Sequence, residues 1–396
     1  SGRHPPNGGG GAGARAIGSG ERQMCAGRPR REAWAMNTTK VATTARWPRR
    51  ATWGAAAWSL AYGGLGLFWA YGGAGFPFGE GDVPDARAES FMGAATAAGT
   101  APVIAGLGLA GALLAVAMTR DWSGQARRWS AAARVAMLVP AWAMAFLLVV
   151  LVPDARIMTA VGYAPIFLVG LPFGWPDANY FELAFPWPVV NMLICLAGGL
   201  LWAAAALAAT RRSAGACQSC GRADGHAAHW RTPAGAARWG RWAAYTAFAV
   251  PLFYSVVRWA WAMKIPLLFS EEGIRWLHET GMAWAGAGLA TFGAVGGVLT
   301  LGLVRPWGEI WPRWVPVLAG RPVPRKLPLG AATAVTAVLA SAGAVAIRVT
   351  DWTDPASWLV SPMAYWPIWA VALGLATLAY YYRTRPACLR CGLGAR

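Results

Sequence analysis

Charged residues are scarce in this chain of 396 residues. Only 13% of the residues are Asp, Glu, Lys or Arg, which is about half the share found in an ordinary soluble domain. Hydrophobic residues make up 56% of the chain, and the charges fall between long apolar runs. This pattern excludes a water-soluble domain of this size, a disordered chain and a disulfide-rich secreted protein. It predicts an all-α integral membrane protein of the plasma membrane, with the lipid bilayer as its first partner.

Acidic residues are the scarcer of the two charge types, with 17 Asp and Glu against 35 Lys and Arg. In a soluble protein this excess would suggest a nucleic acid partner. In a membrane protein, the loops on the cytoplasmic side accumulate Lys and Arg, so no nucleic acid is expected here.

Sequence signatures of catalysis are also missing. The chain has no phosphate-binding glycine loop, no HExxH motif and no nucleophile elbow. The acid–base candidates that remain are His278 and Glu279, with Asp177 in another predicted outer loop. These residues alone do not favour an enzyme.

Eight apolar runs are long enough to cross a bilayer, which takes about 20 residues. Arg and Lys precede the first run and follow the second, fourth, sixth and eighth, whereas Asp and Glu concentrate in the other loops. Both termini are therefore expected to be cytoplasmic. The run Ile157–Phe173 is broken by Gly and Pro, and we expect it to be too short to cross, forming a re-entrant or interfacial segment. The eight predicted spans are Trp53–Tyr71, Ala98–Met118, Ala131–Val152, Trp187–Ala209, Ala243–Met263, Met282–Val304, Leu327–Ile347 and Met363–Tyr382.

The sequence also indicates an internal repeat of four spans. Residues 46–72 align with 238–264 without a gap, and residues 120–129 align in the same way with 305–314, with matches at Arg, Trp and Tyr. An even number of spans per repeat makes the two repeats parallel, related by a pseudo-twofold axis along the membrane normal. The predicted divisions are a disordered Gly-, Pro- and Arg-rich tail (1–45), a first repeat (46–220), a cytoplasmic linker (221–237) and a second repeat (238–396).

Each repeat ends in the same cysteine motif, Cys-x-x-Cys-Gly, at Cys217 and Cys220 and again at Cys388 and Cys391. Two such motifs supply the four sulfur ligands of a zinc ion. Although the motifs lie far apart in the sequence, the repeat would place both on one face of the membrane. The reducing cytoplasm favours a metal over a disulfide. Because four protein ligands leave no open position, the predicted zinc is structural.

Other interpretations of the cysteines stay open at this point. Cys217 and Cys220 could form a local site with His226 and His229, or the four cysteines could be redox-active thiols or have no role. Cys195 lies inside the fourth predicted span and is interpreted as a packing residue.

Polar residues inside predicted spans are candidates for a functional site, because polar groups are costly at bilayer depth. Arg258 lies in the outer half of the fifth span, where it could extend outward, pair with Glu271 or Glu272, or contact a substrate or lipid headgroup. Two tyrosines occupy equivalent positions of the two repeats, and one asparagine lies near the outer end of the fourth span. The candidates are Arg258, Tyr62, Tyr254 and Asn191.

Two segments, LFWAYGGAGFPFG at 67–79 and WGEIWPRWVPVLAGRPVP at 307–324, resemble multi-spanning membrane proteins of high-GC actinobacteria. The resemblance implies about eight spans and no particular activity or functional residue. Three functions are therefore considered. The first is a small-solute permease or channel, slightly favoured by the repeat. The second is a scaffold or signalling protein that recruits a partner or anionic lipid through its zinc site and basic face. The third is an enzyme acting on lipid or envelope substrates.

Overall fold

The computed structural model describes residues 46–120, 130–174, 179–223, 228–354, 358–359 and 361–394. The predicted tail (1–45) lies outside these residues. Within the described residues the chain is helical, and the one β-bridge joins Ile310 to Pro322. The α-helices of this part of the chain are α1 (Arg46–Ala70), α2 (Ala97–Arg120), α3 (Ala131–Phe146), α4 (Ala155–Gly170), α5 (Tyr180–Ala184), α6 (Trp187–Ser213), α7 (Pro233–Ala262), α8 (Glu271–Glu279), α9 (Met282–Thr300), α10 (Lys326–Val349) and α11 (Trp366–Thr384).

Seven helical segments among the described residues are long and apolar enough to cross a membrane, which indicates a polytopic membrane protein. Large apolar side chains on outward-facing positions, such as Leu113, Val298 and Val371, are exposed, as contact with lipid requires. The seven segments are Ala97–Thr119, Ala131–Leu151, Ala155–Phe173, Trp187–Ser213, Met282–Leu303, Lys326–Val349 and Met363–Thr384.

The first and fifth predicted spans form the long helices α1 and α7, but these two are not among the seven. Both contain arginines together with many Trp, Tyr, Gly and Ser residues, which makes them less apolar than the others. Helix α7 also begins earlier than predicted. Thr232 caps its N-terminus by accepting a hydrogen bond from the backbone N–H of Gly235, so the helix includes the last part of the predicted linker.

The expectation that the run Ile157–Phe173 is too short to cross was wrong. Asp154 caps α4, and a 3-10 turn extends the helix to Phe173, so that the segment has the length and composition of a span. Its interior Pro165 does not end the helix.

The chain nevertheless enters and leaves α4 and α5 at the same end of the helical bundle. Arg156 at the start of α4 binds Asp82, and the indole Nε1 of Trp187 at the start of α6 donates to the carbonyl of Gly75, 2.7 Å away. Gly75 and Asp82 both belong to the connection between α1 and α2. The path between α3 and α6 therefore returns to the end of the bundle at which it begins, and its re-entrant or interfacial course stays a prediction.

The opposite end of the bundle is called the cysteine end here, because Cys217 and Cys388 follow the helices that finish there. At this end the guanidinium of Arg211 in α6 lies over the ring of Trp47 in α1, 5.6 Å from its centroid. Arg325, just before α10, donates from Nε to the hydroxyl of Thr384 at the end of α11, 2.8 Å away. The end that holds the α1–α2 connection is called the distal end.

Glycine allows α1 and α2 to touch along their backbones. A Cβ atom at Gly108 would lie 2.4 Å from the Cα of Gly63, and one at Gly66 would lie 2.6 Å from the backbone nitrogen of Ala105. In the sequence alignment of the two halves, Gly66 corresponds to Arg258. Arg258 of α7 reaches α9, since a Cβ atom at Gly286 would lie 3.2 Å from its Nη1, so a long side chain lies between α7 and α9 where α1 and α2 are in backbone contact.

The two halves of the chain meet along an apolar seam, formed by α4 and α6 on one side and α10 on the other. Ile157, Val189 and Met192 are buried together, and Val338 of α10 packs against them. Met158 of α4 packs against the cluster that contains Leu339 of α10. The side chains of this seam are therefore those of a packed core.

Candidate metal centre

The four cysteines of the two motifs come together at the cysteine end. Their sulfur atoms all lie within 4.8 Å of one another. Cys217 Sγ is 3.9 Å from Cys388 Sγ, and Cys220 Sγ is 3.6 Å from Cys391 Sγ. The predicted juxtaposition of the two motifs is confirmed, and it is compatible with a metal site.

The two motifs have the same backbone hydrogen bonds. In the first, the N–H of Gly221 donates to the carbonyl of Cys217, and the N–H of Cys217 donates to the carbonyl of Arg222, both at 2.7 Å. In the second, Gly392 donates to Cys388 at 2.8 Å, and Cys388 donates to Leu393 at 3.0 Å. Each motif is thus a tight turn that directs two sulfurs to one point.

The glycine that closes each turn is required by its backbone conformation. Gly221 has φ of +69° and Gly392 has φ of +68°, in the left-handed region that side chains disfavour. The glycine of the Cys-x-x-Cys-Gly pattern is therefore part of the geometry that brings the sulfurs together.

The spacing of the sulfurs, all within 4.8 Å of one another, is compatible with a tetrahedral four-sulfur metal site such as one of zinc. With zinc–sulfur bonds of about 2.3 Å, the sulfurs of such a site are about 3.8 Å apart, between the two distances given above. A disulfide bond is much shorter, at about 2.05 Å, and the four cysteines are free. The donor set and its geometry therefore fit one closed four-sulfur site better than two disulfides.

The thiols of this cluster also affect one another's ionisation, because each thiolate disfavours the ionisation of its neighbours. Desolvation disfavours the thiolate of Cys388, but backbone N–H groups of Cys391 and Arg390 donate to it, and its pKa falls to about 6. Desolvation and the neighbouring sulfurs raise the pKa of Cys391 to about 12. Four thiolates at these distances need a cation between them, because adjacent negative charges repel.

The local alternative with histidine ligands is only partly within the described residues. His229 begins a short 3-10 turn, and its carbonyl accepts a hydrogen bond from the hydroxyl of Thr232 at 2.7 Å. It does not belong to the group of four possible ligands. His226 lies outside the described residues.

The predicted intramembrane polar residues form two separate pairs. In the first half, the Tyr62 hydroxyl donates to Asn191 Oδ1 at 2.9 Å and accepts from Cys195 Sγ at 3.2 Å, and all three residues are buried. Cys195 is therefore a hydrogen-bonding partner as well as a packing residue. In the second half, Arg258 Nε donates to the Tyr254 hydroxyl at 3.0 Å. Tyr62 and Tyr254 thus have different partners.

Arg258 is held by aromatic rings. Its guanidinium lies 5.3 Å from the ring centroid of Tyr254 and 5.0 Å from that of Trp261. The ion pairs among the described residues do not include one between Arg258 and Glu271 or Glu272, which lie exposed in α8. Cation–π contact stabilises a partly desolvated guanidinium without a carboxylate.

The sequence did not predict a buried ion triad that lies at the distal end. Arg156 donates to both carboxylate oxygens of Asp82 at 2.7 Å and to Asp154 Oδ2 at 2.6 Å. The side chains of both aspartates are 2% exposed. The sequence showed these residues only as loop charges, because their partners lie in different connections of the chain.

A pocket of about 540 Å³ opens at the distal end, between α8 and the turn that follows α7. His278 and Glu279, the acid–base candidates, line it together with Lys264, Glu271 and Arg275. The Nε2 of His278 is 3.0 Å from the carbonyl of Trp261, which fixes its ring. Asp177 lies outside the described residues.

Comparison with known proteins adds no assignment: no protein-family model, no curated protein and no solved structure matches this chain. The resemblance noted for residues 67–79 and 307–324 therefore depends on those two segments alone.

Proposed function

We propose that this protein is a plasma-membrane scaffold or signalling protein in which one structural zinc ion joins the two halves of the chain. The four sulfurs from two distant motifs, all within 4.8 Å of one another, carry this proposal. A closed four-sulfur site has no position for a reacting water, so its role is to hold the halves together. The apolar packing of the seam supports a scaffold over a permease, because a solute pathway between the halves needs polar lining.

The zinc ion lies, in this proposal, on the axis of a duplicated four-span unit, with the divisions 46–220 and 238–396. Contacts that recur between the halves support the duplication. Arg212 donates to the carbonyl of Met118 at 3.4 Å, and Arg383 donates to that of Leu303 at 2.9 Å. The register of the two cysteine motifs matches Arg212 with Arg383, and the alignment of 120–129 with 305–314, extended by two residues, matches Met118 with Leu303. A repeat also explains why both motifs have one set of hydrogen bonds.

The cysteine end is proposed to face the cytoplasm, where the positive-inside rule places an excess of Arg, and both termini would then be cytoplasmic. The loop after α9 exposes Trp314 and Val317 beside Arg313 and Arg321. An amphipathic aromatic ring flanked by guanidinium groups suits the headgroup layer of an anionic leaflet. This end is therefore the proposed contact face for anionic lipid or a recruited partner.

Elemental analysis of the purified protein tests the zinc assignment. We expect one zinc ion per unmutated chain and less than about a tenth of that in Cys388→Ser, because three sulfurs leave an open, weaker site. Cys195→Ser is the matched control, since Cys195 is a free cysteine outside the cluster, and it should keep its zinc. An unmutated protein without stoichiometric zinc would remove the basis of the proposal.

A permease is the second candidate, because the path through α4 returns to the end at which it begins, and α4 lies at the seam between the halves, where transporters place discontinuous helices. Water access to the seam separates the two candidates. We expect Met158→Cys and Val338→Cys to react with a water-soluble maleimide no faster than the parent protein. Glu272→Cys, exposed at the distal end, should react readily. Rapid labelling at both seam positions would favour the permease.

A further inference from the structure

Three arginines surround the cysteine cluster without being its ligands. Arg211 donates to the carbonyl of Gln218, between the two cysteines of the first motif, at 3.1 Å. Arg222 follows that motif and donates to the carbonyls of Pro386 and Leu393, on either side of the second motif, at 2.9 Å and 3.2 Å. Arg385 leads into the second motif.

All three guanidinium side chains are half-buried, and no carboxylate pairs with them among the described residues. The ion pairs found in this part of the chain are those of Arg156 and Arg383. Arg222 and Arg385 are also close to each other, since Arg222 donates to the carbonyl of Arg385 at 3.3 Å. Arg211 also lies over the ring of Trp47, and Arg385 lies over that of Tyr382, 5.0 Å from its centroid. Like charges that share a partly desolvated region still repel, so a negative counter-charge would stabilise this arrangement further.

The proposed zinc site supplies that charge. When Zn²⁺ binds four thiols, four protons are released and the centre has a net charge of −2, because four thiolates outweigh one divalent ion. Building on the proposed function, we infer that Arg211, Arg222 and Arg385 form the counter-charge of a dianionic zinc–thiolate centre and thereby set its affinity for zinc. They are positioning residues that act on the metal through charge and through the backbone of the two motifs.

Arg385 is the best residue for testing the charge. Among the described residues, its side chain donates from Nη2 to the carbonyl of Arg231 at a long 3.4 Å and lies over the ring of Tyr382, whereas Arg222 also clamps the backbone of the second motif. We expect Arg385→Gln to raise the zinc dissociation constant about 10–100-fold, measured by competition with a chromogenic chelator, as for other residues that support metal ligands. Arg385→Lys keeps the charge and should stay within about threefold of the parent. Arg50→Gln is the matched control, because it removes one exposed arginine from the same end, and should leave the affinity unchanged.

Combining Arg385→Gln with a second substitution tests whether Arg385 acts through its charge or through the fold. Cys391→His changes the site from four thiolates to three, which lowers its net charge from −2 to −1 while keeping a known zinc ligand set. Because electrostatic energy is proportional to charge, the effect of Arg385→Gln in this background should fall to about the square root of its original factor. An undiminished factor would mean that Arg385 acts on the fold and not on the charge of the centre.

The outcomes distinguish the counter-charge inference from the proposed zinc site on which it rests. Absence of zinc from the unmutated protein overturns both. Stoichiometric zinc with equal affinity in the parent and Arg385→Gln overturns the counter-charge alone. Asp224 is the nearest acid to Arg222 in the sequence and lies outside the described residues. If Asp224→Asn abolished the effect of Arg385→Gln, a carboxylate would be the counter-charge and the inference would be wrong.

Discussion

Arg156→Met is expected to lower the free energy of unfolding by about 3–5 kcal/mol, because it leaves two buried carboxylates without their partner. Asp82 and Asp154 are almost completely buried, and Arg156 is the guanidinium that binds both. The substitution also detaches the start of α4 from the α1–α2 connection. The measurement is chemical denaturation in detergent micelles, followed by circular dichroism.

Two further variants test this explanation. Arg275→Met removes an arginine that is exposed at the same end of the bundle, and it should change stability by less than about 0.5 kcal/mol. Adding Asp82→Asn to Arg156→Met should recover part of the loss, since it removes one of the two unpaired charges. Equal stability of Arg156→Met and Arg275→Met would show that the ion triad contributes little.

Removal of zinc is expected to have an effect of similar size at the other end of the molecule. A ligand that binds only the folded state stabilises it by about 4 kcal/mol when its free concentration is a thousand times its dissociation constant. Chelation should therefore lower the midpoint of thermal unfolding, because the two halves lose their link at the cysteine end. The shift is measured by differential scanning fluorimetry with and without added zinc.

Two variants show whether the chelator acts through the cysteine cluster. Cys388→Ser should already have the low midpoint and should respond little to the chelator. Cys195→Ser should respond as the unmutated protein does, because its sulfur is not part of the cluster. A chelator that destabilised Cys388→Ser and the unmutated protein equally would place the responsible metal elsewhere.

The cysteine cluster could be predicted from the sequence because residue type and spacing alone indicate its chemistry. Two cysteines separated by two residues and followed by glycine define a metal-binding turn whatever surrounds them. The juxtaposition of the two motifs required one more inference, that similar halves end on the same face, and the four sulfurs do lie together. The arginines around them could not be assigned in this way, because a basic residue after a span also marks a cytoplasmic loop.

The path of the chain through the first half was harder to predict. Gly and Pro in the run Ile157–Phe173 suggested a broken segment, but a helix tolerates Pro165 when packing holds its flanks. Hydropathy alone also did not distinguish a full crossing from a re-entrant path. The contact between Trp187 and Gly75 shows that the chain returns to the distal end before α6, and it joins residues more than a hundred positions apart.

By itself, the sequence determined the helical membrane architecture, the approximate position of each long helix and the four cysteines of the cluster. These features follow from local composition and short spacings, which act within a turn or a single span. Tertiary structure alone decided which polar side chains meet: Asp82 with Arg156, Tyr62 with Asn191, and Arg258 with two aromatic rings. Such pairs depend on the rotation and depth of separate helices, and packing of the whole bundle sets both.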